Sequence, residues 1–158
     1  MVAVLIALSG TACAAELTNP GIIHSGEVFT ISNGDNLTLM DDDYDYLTVD
    51  LLIEAGGILV IESGGNLTIP GGSIANEGSI NNSGTINGYA SQSKIYNNGT
   101  FNNYGNIFDA YCVNYGIFYN EGYISLVFKI ENHGTMENSG FILNEGSIDN
   151  FGNFYNSG

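Results

Sequence analysis

The sequence predicts an all-β chain wound into a three-sided parallel β-solenoid, or β-helix. Three observations point there. A six-residue unit, Asn-x-Gly-x-Φ-x with Φ a large apolar residue, runs almost unbroken from Asn114 to the end of the 158 residues. Looser apolar-x-apolar units fill residues 25–70. Glycine occurs 22 times and proline only twice. A fixed short period marks a repeat architecture and outranks local propensity.

The hexads read NYGIFY, NEGYIS, LVFKIE, NHGTME, NSGFIL, NEGSID, NFGNFY and then NSG. Only LVFKIE, residues 126–131, lacks the Asn and Gly. Upstream, NEGSIN (76–81), NSGTIN (82–87), NNGTFN (97–102) and NYGNIF (103–108) match, with register breaks at 88–96 and 109–113. Side chains alternate faces along a strand. Asn, Gly and Φ therefore share the inward face, and the other three positions face out. The glycine is expected to supply left-handed backbone at a corner, which Asn also tolerates. A helix fails, because six is not a helical period and repeated glycine costs about 1 kcal/mol each time.

Stacking the apolar residues three hexads apart sets the number of sides. One column is Ile80, Phe101, Phe118, Met136 and Phe154. The second is Ile86, Ile107, Ile124 and Ile142, and the third is Ile74, Ile95, Cys112, Ile130 and Ile148. The bulkiest residues share one column, and both register breaks fall on the third side. Stacking at two hexads mixes Phe with Ile everywhere. A coil is therefore about 18 residues in the C-terminal part. Cys112 fits the isoleucine column as a small buried hydrophobe.

Residues 25–70 predict wider, octad-type coils. Leu59-Val60-Ile61 and Leu67-Thr68-Ile69 each follow a glycine pair, and Phe29-Thr30-Ile31, Leu37-Thr38-Leu39 and Leu47-Thr48-Val49 repeat the strand pattern. The width changes near Pro70-Gly71-Gly72, giving one solenoid domain over 16–158 with hexad-type coils over 71–158. Its handedness is left open. Residues 1–15 read as a signal peptide without the usual basic leader. The apolar run Val2 to Leu8 precedes an Ala12-Cys13-Ala14 cleavage site, and Cys13 raises a lipoprotein alternative. The chain is thus expected to be secreted or on the cell surface. Its arrest in mid-hexad at Gly158 predicts repeats continuing to an anchor.

The Leu-Thr-Ile and Gly-Gly units followed by Asn-x-Gly-x-Ile hexads resemble the repeats of secreted β-helical surface proteins. These include filamentous-haemagglutinin-like adhesins and autotransporter passengers. The resemblance covers most of 25–158, implies a surface structural role and carries over no catalytic residues. The N-terminal secretion domain of two-partner-secretion proteins finds no match here.

The formal net charge is −15, from 17 acids and only Lys94 and Lys129, with no arginine. That excludes nucleic acid and anionic lipid as partners. No apolar run reaches the roughly 20 residues of a membrane helix, so the chain is not expected to span a membrane. Asp41, Asp42, Asp43, Asp45 and Asp50 cluster, and clustered carboxylates can collect calcium. Their spacing does not match the twelve-residue helix-loop-helix calcium loop, the glycine-rich nonapeptide calcium repeat is absent, and an exposed acidic loop is the plainer reading. Outward Glu131 and Asp149 should stack one coil apart, ~4.8 Å. Such a pair could serve glycoside hydrolysis, but a corner without a cleft is expected. β-Helical pectin-degrading enzymes, by resemblance, supply basic residues that this chain lacks. His133 is expected between Tyr115 and Phe151 in an aromatic ladder. A histidine base of the hexapeptide acyltransferases, whose repeat is similar, is the weaker alternative for it.

Outward aromatics are numerous: Tyr104, Tyr115, Tyr119, Tyr123, Phe141, Phe151 and Tyr155. They suggest packing against another chain or a glycan, with Tyr123 stacked on Phe141. No regular threonine array suits ice. Of four N-glycosylation acceptors, Asn36, Asn66, Asn81 and Asn98, Asn36 is the best placed. No catalytic, cofactor-binding or metal residue is assigned, and no cofactor or small-molecule substrate is implied. The sequence reads as an exported, non-enzymatic, structural or adhesive cell-surface stalk whose partner is a surface glycan or another envelope protein. The alternatives are a carbohydrate-active β-helix enzyme and a glycan-binding module. Inward Asn ladders are expected to make Asn144→Ala destabilising. Outward acids are expected to keep the sides of the rod apart.

Overall fold

The computed structural model describes residues 16–158 apart from 34, 39–49, 90, 91 and 127. Three seven-stranded parallel sheets form the described part. Sheet 1 runs from Glu16–Leu17 to Phe141–Asn144, sheet 2 from Ile22–Ile23 to Ser147–Asn150, and sheet 3 from Val28–Ile31 to Asn153–Asn156. Sheet neighbours are every third strand in sequence, so the chain visits each side once per coil. One coil, for example, is Tyr111–Asn114, then Ile117–Asn120, then Tyr123–Leu126. This is a three-sided parallel β-solenoid.

The predicted columns are the observed ones. Phe101 pairs with Ile80 and Phe118, Phe118 with Met136, and Met136 with Phe154. The isoleucine columns pair as Ile86, Ile107, Ile124, Ile142 and as Ile74, Ile95, Cys112, Ile130, Ile148. Upstream, Leu37 and Leu67 continue the second column and Phe29 and Leu59 the first. One apolar core results, from Ile23 to Met136, with Phe101 and Phe118 rings stacked at 4.7 Å inside it.

The two halves turn their corners differently. Between sheets 2 and 3, and between sheets 3 and 1, the early corners have four residues (54–57 and 62–65), and the hexad corners have two (115–116 and 121–122). Each wide corner closes on itself: Gly57 N–H donates to Glu54 C=O and Gly65 N–H to Glu62 C=O, both at 2.8 Å. Gly56, third in its turn, has φ +86°, a backbone that favours glycine. The tight corners instead borrow the coil before. Tyr115 and Gly116 N–H both donate to Asn97 C=O, at 2.8 and 2.9 Å.

The hexad glycines correct the expectation of left-handed corners. Positive φ among described glycines is confined to Gly21, Gly26, Gly56, Gly64 and Gly71. A Cβ on Gly116 would run into the Gly99 carbonyl, and one on Gly134 into that of Gly116. These glycines allow successive coils to approach, which is a packing requirement and not a dihedral one.

The corner residue inside also changes. Ile23 and Ile53 fill the sheet 2 corner, and then Asn76, Asn97, Asn114, Asn132 and Asn150 take the same place. Ile31 and Ile61 give way to Asn82, Asn103, Asn120, Asn138 and Asn156 at the next corner. Each Asn Nδ2 donates to the Asn Oδ1 of the following coil at 2.6–2.7 Å. Two continuous amide ladders run down the interior.

A ladder's first rung has no donor before it. Asn76 Oδ1, which follows Ile53, is buried and without a hydrogen-bond partner. Asn144 Oδ1, which follows Leu126 at the third corner, is the other such atom. Asn144 is therefore not a ladder residue with a rung beneath it, and the expectation that its removal breaks a ladder falls. Burial without a partner costs about 1–3 kcal/mol.

Coil length varies along the stack. Ladder partners lie 21 residues apart at Asn76 and Asn97, then 17 or 18 apart. The remaining extra residues enter at the corner from sheet 1 to sheet 2. There Ser93, fully buried, accepts Tyr89 N–H at 2.6 Å and donates to Ile69 C=O. Asp109, at the same corner, is the one described non-glycine residue with positive φ, at 49°.

Candidate functional site

Alternation puts Tyr111, Lys129, Glu131 and Asp149 on the outer face of sheet 2, and the corner after Glu131 brings His133 beside them. Lys129 Nζ lies 2.8 Å from Glu131 Oε2 and 2.7 Å from Asp149 Oδ2. Tyr111 O–H donates to Glu131 Oε2 at 2.9 Å, and His133 Nε2 lies 2.7 Å from Glu131 Oε1. Glu131 and Asp149 stack one coil apart as expected, but on strands and not at a corner.

The electrostatics are those of a clamp. Hydrogen bonding to Lys129, then to His133 and Tyr111, lowers the Glu131 carboxyl to about 2. Hydrogen bonds to Asp149 and Glu131 push the Lys129 ammonium up. Partial burial, and then the bond to Glu131, raise the Tyr111 phenol. Glycoside hydrolysis asks one carboxyl for a raised value, so that it carries a proton at working pH. Glu131, held low, is not that acid, and Lys129 occupies the space between it and Asp149. The sequence pattern pairs the two acids. It does not point to Lys129 between them, although Lys129 and Glu131 alternate onto the same face.

The aromatic ladders lie where the register placed them. His133 stacks between Tyr115 at 4.7 Å and Phe151 at 4.9 Å, at the corner between sheets 2 and 3. Tyr123 and Phe141 stack at 5.4 Å on sheet 1, with Phe108 tilted against Tyr123 at 5.9 Å. Tyr119 and Tyr155 are on sheet 3, separated by Glu137. The aromatics thus occupy different sides. His133 has both ring faces covered by neighbours, whereas Tyr123 is stacked on one face only.

Comparison with known protein families, curated proteins and solved structures finds no match in any of the three.

The other candidates resolve simply. Asp41, Asp42, Asp43 and Asp45 lie outside the described residues. Asp50 is described, and its Oδ2 accepts Ser73 N–H at 2.6 Å. Among the described residues no three His, Cys, Asp or Glu group as a metal site, and no helix is long and apolar enough to cross a membrane. Cys112 is buried, and desolvation pushes its thiol up to about 12. His24 pairs with Glu54 at 3.1 Å on the N-terminal coils. Of the glycosylation acceptors, Asn36, Asn66 and Asn81 sit half-buried in strands, and the last two accept hydrogen bonds from Asn87 and Asn102. Asn98, exposed at a corner, is the accessible one, which displaces the preference for Asn36. A shallow trough lies at the last coil between Tyr119, Glu137 and Tyr155.

Proposed function

We propose that the chain is a non-enzymatic structural element of an exported, cell-surface β-solenoid. The observation that carries this is the two interior amide ladders. They repeat one set of contacts in every hexad coil and make the coil stack, not a pocket, the recurring unit of construction within the chain. Six spacings of ~4.8 Å give a described stack of about 29 Å, braced by backbone bonds along its axis. The Lys129 clamp adds a further tie across coils on the outside. The spread of the aromatics over different sides, with the His133 ring covered on both faces, favours this reading over a glycan platform, because sugars stack on open ring faces gathered on one side. Lys129, seated between Glu131 and Asp149, favours it over a carbohydrate enzyme, because the ammonium fills the space between the two carboxyls.

The surface location rests on the apolar run and Ala-x-Ala pattern of residues 1–15 and on the resemblance to adhesin repeats. Antibody against the exposed Asn98 corner tests it. Intact producing cells should be labelled without permeabilisation, and label appearing only after permeabilisation would refute export.

A further inference from the structure

The three sides of the prism differ in charge. Sheet 2 carries both cations of the chain, Lys94 and Lys129, beside Glu131 and Asp149. Sheet 3 has one charged outward residue, Glu137. On sheet 1 the first strand carries Glu16, and beyond it no described outward residue from Asn36 to Leu143 is charged. The acids beside it sit at corners, such as Glu62 and Glu121 along one edge and Asp109 and Glu145 along the other. On this side the outward acids therefore lie along the edges and not on the face.

At its C-terminal end the sheet 1 face is apolar as well as uncharged. Tyr123 and Phe141 stack down it, and Phe108, one column over in register with Ser125 and Leu143, leans against Tyr123 at a tilt of 51°. Leu143 shares the face, and Phe141 and Leu143 are 56% and 42% exposed.

We propose that this end of sheet 1 is a lateral contact surface between two copies of the chain. The proposal builds on the structural reading and names its partner as a second copy. Charge decides the occupant. Two molecules at −15 repel, and an approach through the uncharged side avoids setting like charges opposite each other. A cationic partner would instead be drawn to the acidic corners. A ladder of ring edges with a leucine beside it is self-complementary about a two-fold axis.

Area sets the strength. Three strands of three or four residues give a footprint of roughly 200 Å², against about 800 Å² per partner in a stable complex. The contact is weak in dilute solution and matters where neighbouring solenoids are held at high local concentration. Salt screens the corner acids, so association strengthens as salt rises.

Sedimentation equilibrium of the whole chain over a wide concentration range, at low salt and at about 0.5 M sodium chloride, tests this. The expected result is reversible dimerisation that tightens several-fold with salt. Phe141→Glu with Leu143→Glu should weaken it at least tenfold, and Phe151→Glu, on a corner, should leave it unchanged. Circular dichroism melts check that each variant folds, and Phe141→Ser with Leu143→Ser replaces the double variant if it does not. A monomer under every condition overturns the proposal. So does association that survives the double substitution, or that is lost instead in Ile148→Glu, whose side chain is 39% exposed on the last coil. A monomeric chain leaves the structural reading standing, since cell labelling tests that separately.

Discussion

The octad and hexad coils solve one packing problem in two ways. A corner must bend the chain and fill the space inside the bend. In the early coils, Ile53 and Ile61 fill it, and a four-residue turn closes its own hydrogen bond through a glycine such as Gly56. In the later coils a buried Asn fills it. The corner shrinks to two residues because the preceding coil supplies the acceptor. The wide corner sends one amide to the coil before, as Glu54 does to Ile23 C=O, and closes another bond within itself, whereas the tight corner sends both its amides to its neighbour. The hexad half should therefore be the more cooperative, and damage to one rung should spread to the next.

The sharpest break in that comparison is between glycines. Gly116→Ala drives a Cβ into the Gly99 carbonyl, and overpacking against backbone should cost about 3 kcal/mol or more. Gly26→Ala has open space around it and only a positive φ of 83° to oppose it, worth about 1–2 kcal/mol. Thermal melts of the two should rank in that order, and equal losses would erase the distinction between the corner types.

Ladder rungs come next. Asn120 accepts from Asn103 and donates to Asn138, so Asn120→Ala should cost about 2–3 kcal/mol by leaving both partners unsatisfied. Asn144→Ala should cost under about 1 kcal/mol, because its Oδ1 has no donor to lose. A converse experiment supplies that donor. Leu126→Asn would place an amide one coil before Asn144. In a double-mutant cycle with Asn144→Ala the pair should couple by about 1 kcal/mol. Zero coupling would mean that an isolated rung cannot start a ladder.

The smallest effect concerns the outer clamp. Glu131 is held at about 2 against an ordinary 4.5. A lowered carboxyl stabilises the fold fully above its unfolded value and loses that contribution as pH falls through the folded one. The raised Lys129 ammonium adds stability that is complete below its ordinary 10.5 and fades as pH rises above it. The melting difference between the native chain and Glu131→Gln should be flat from about pH 5 to 10 and shrink between about pH 4.5 and 2. A difference that grows on acidification would contradict the assigned shift.

Much of the architecture is legible in the residues themselves. Alternation assigns inward and outward positions, and the column test separates three sides from two. Together they yield the pairing of Ile95 with Cys112, of Met136 with Phe154, and the stacking of His133 between Tyr115 and Phe151. The candidate site is half legible. Glu131 and Asp149 match across coils, but nothing in the period marks Tyr111 and Lys129 as their partners, because those contacts depend on where long outward side chains reach. The acidic cluster at Asp41 to Asp45 stays a property of sequence alone.

By itself, then, the sequence determined the number of sides, the register and the membership of each column. Period and alternation are local properties of the backbone, written in every hexad. The tertiary structure decided what each inward polar group meets. It showed that hexad glycines serve close approach, that the ladder starting at Asn76 begins with an orphaned acceptor while the one starting at Asn82 takes the Gly84 N–H instead, and that the sheet 1 side carries no charge from Asn36 to Leu143. Those outcomes depend on the residue one coil away, 17 to 21 positions earlier. Only the stacking of coils brings that residue into contact.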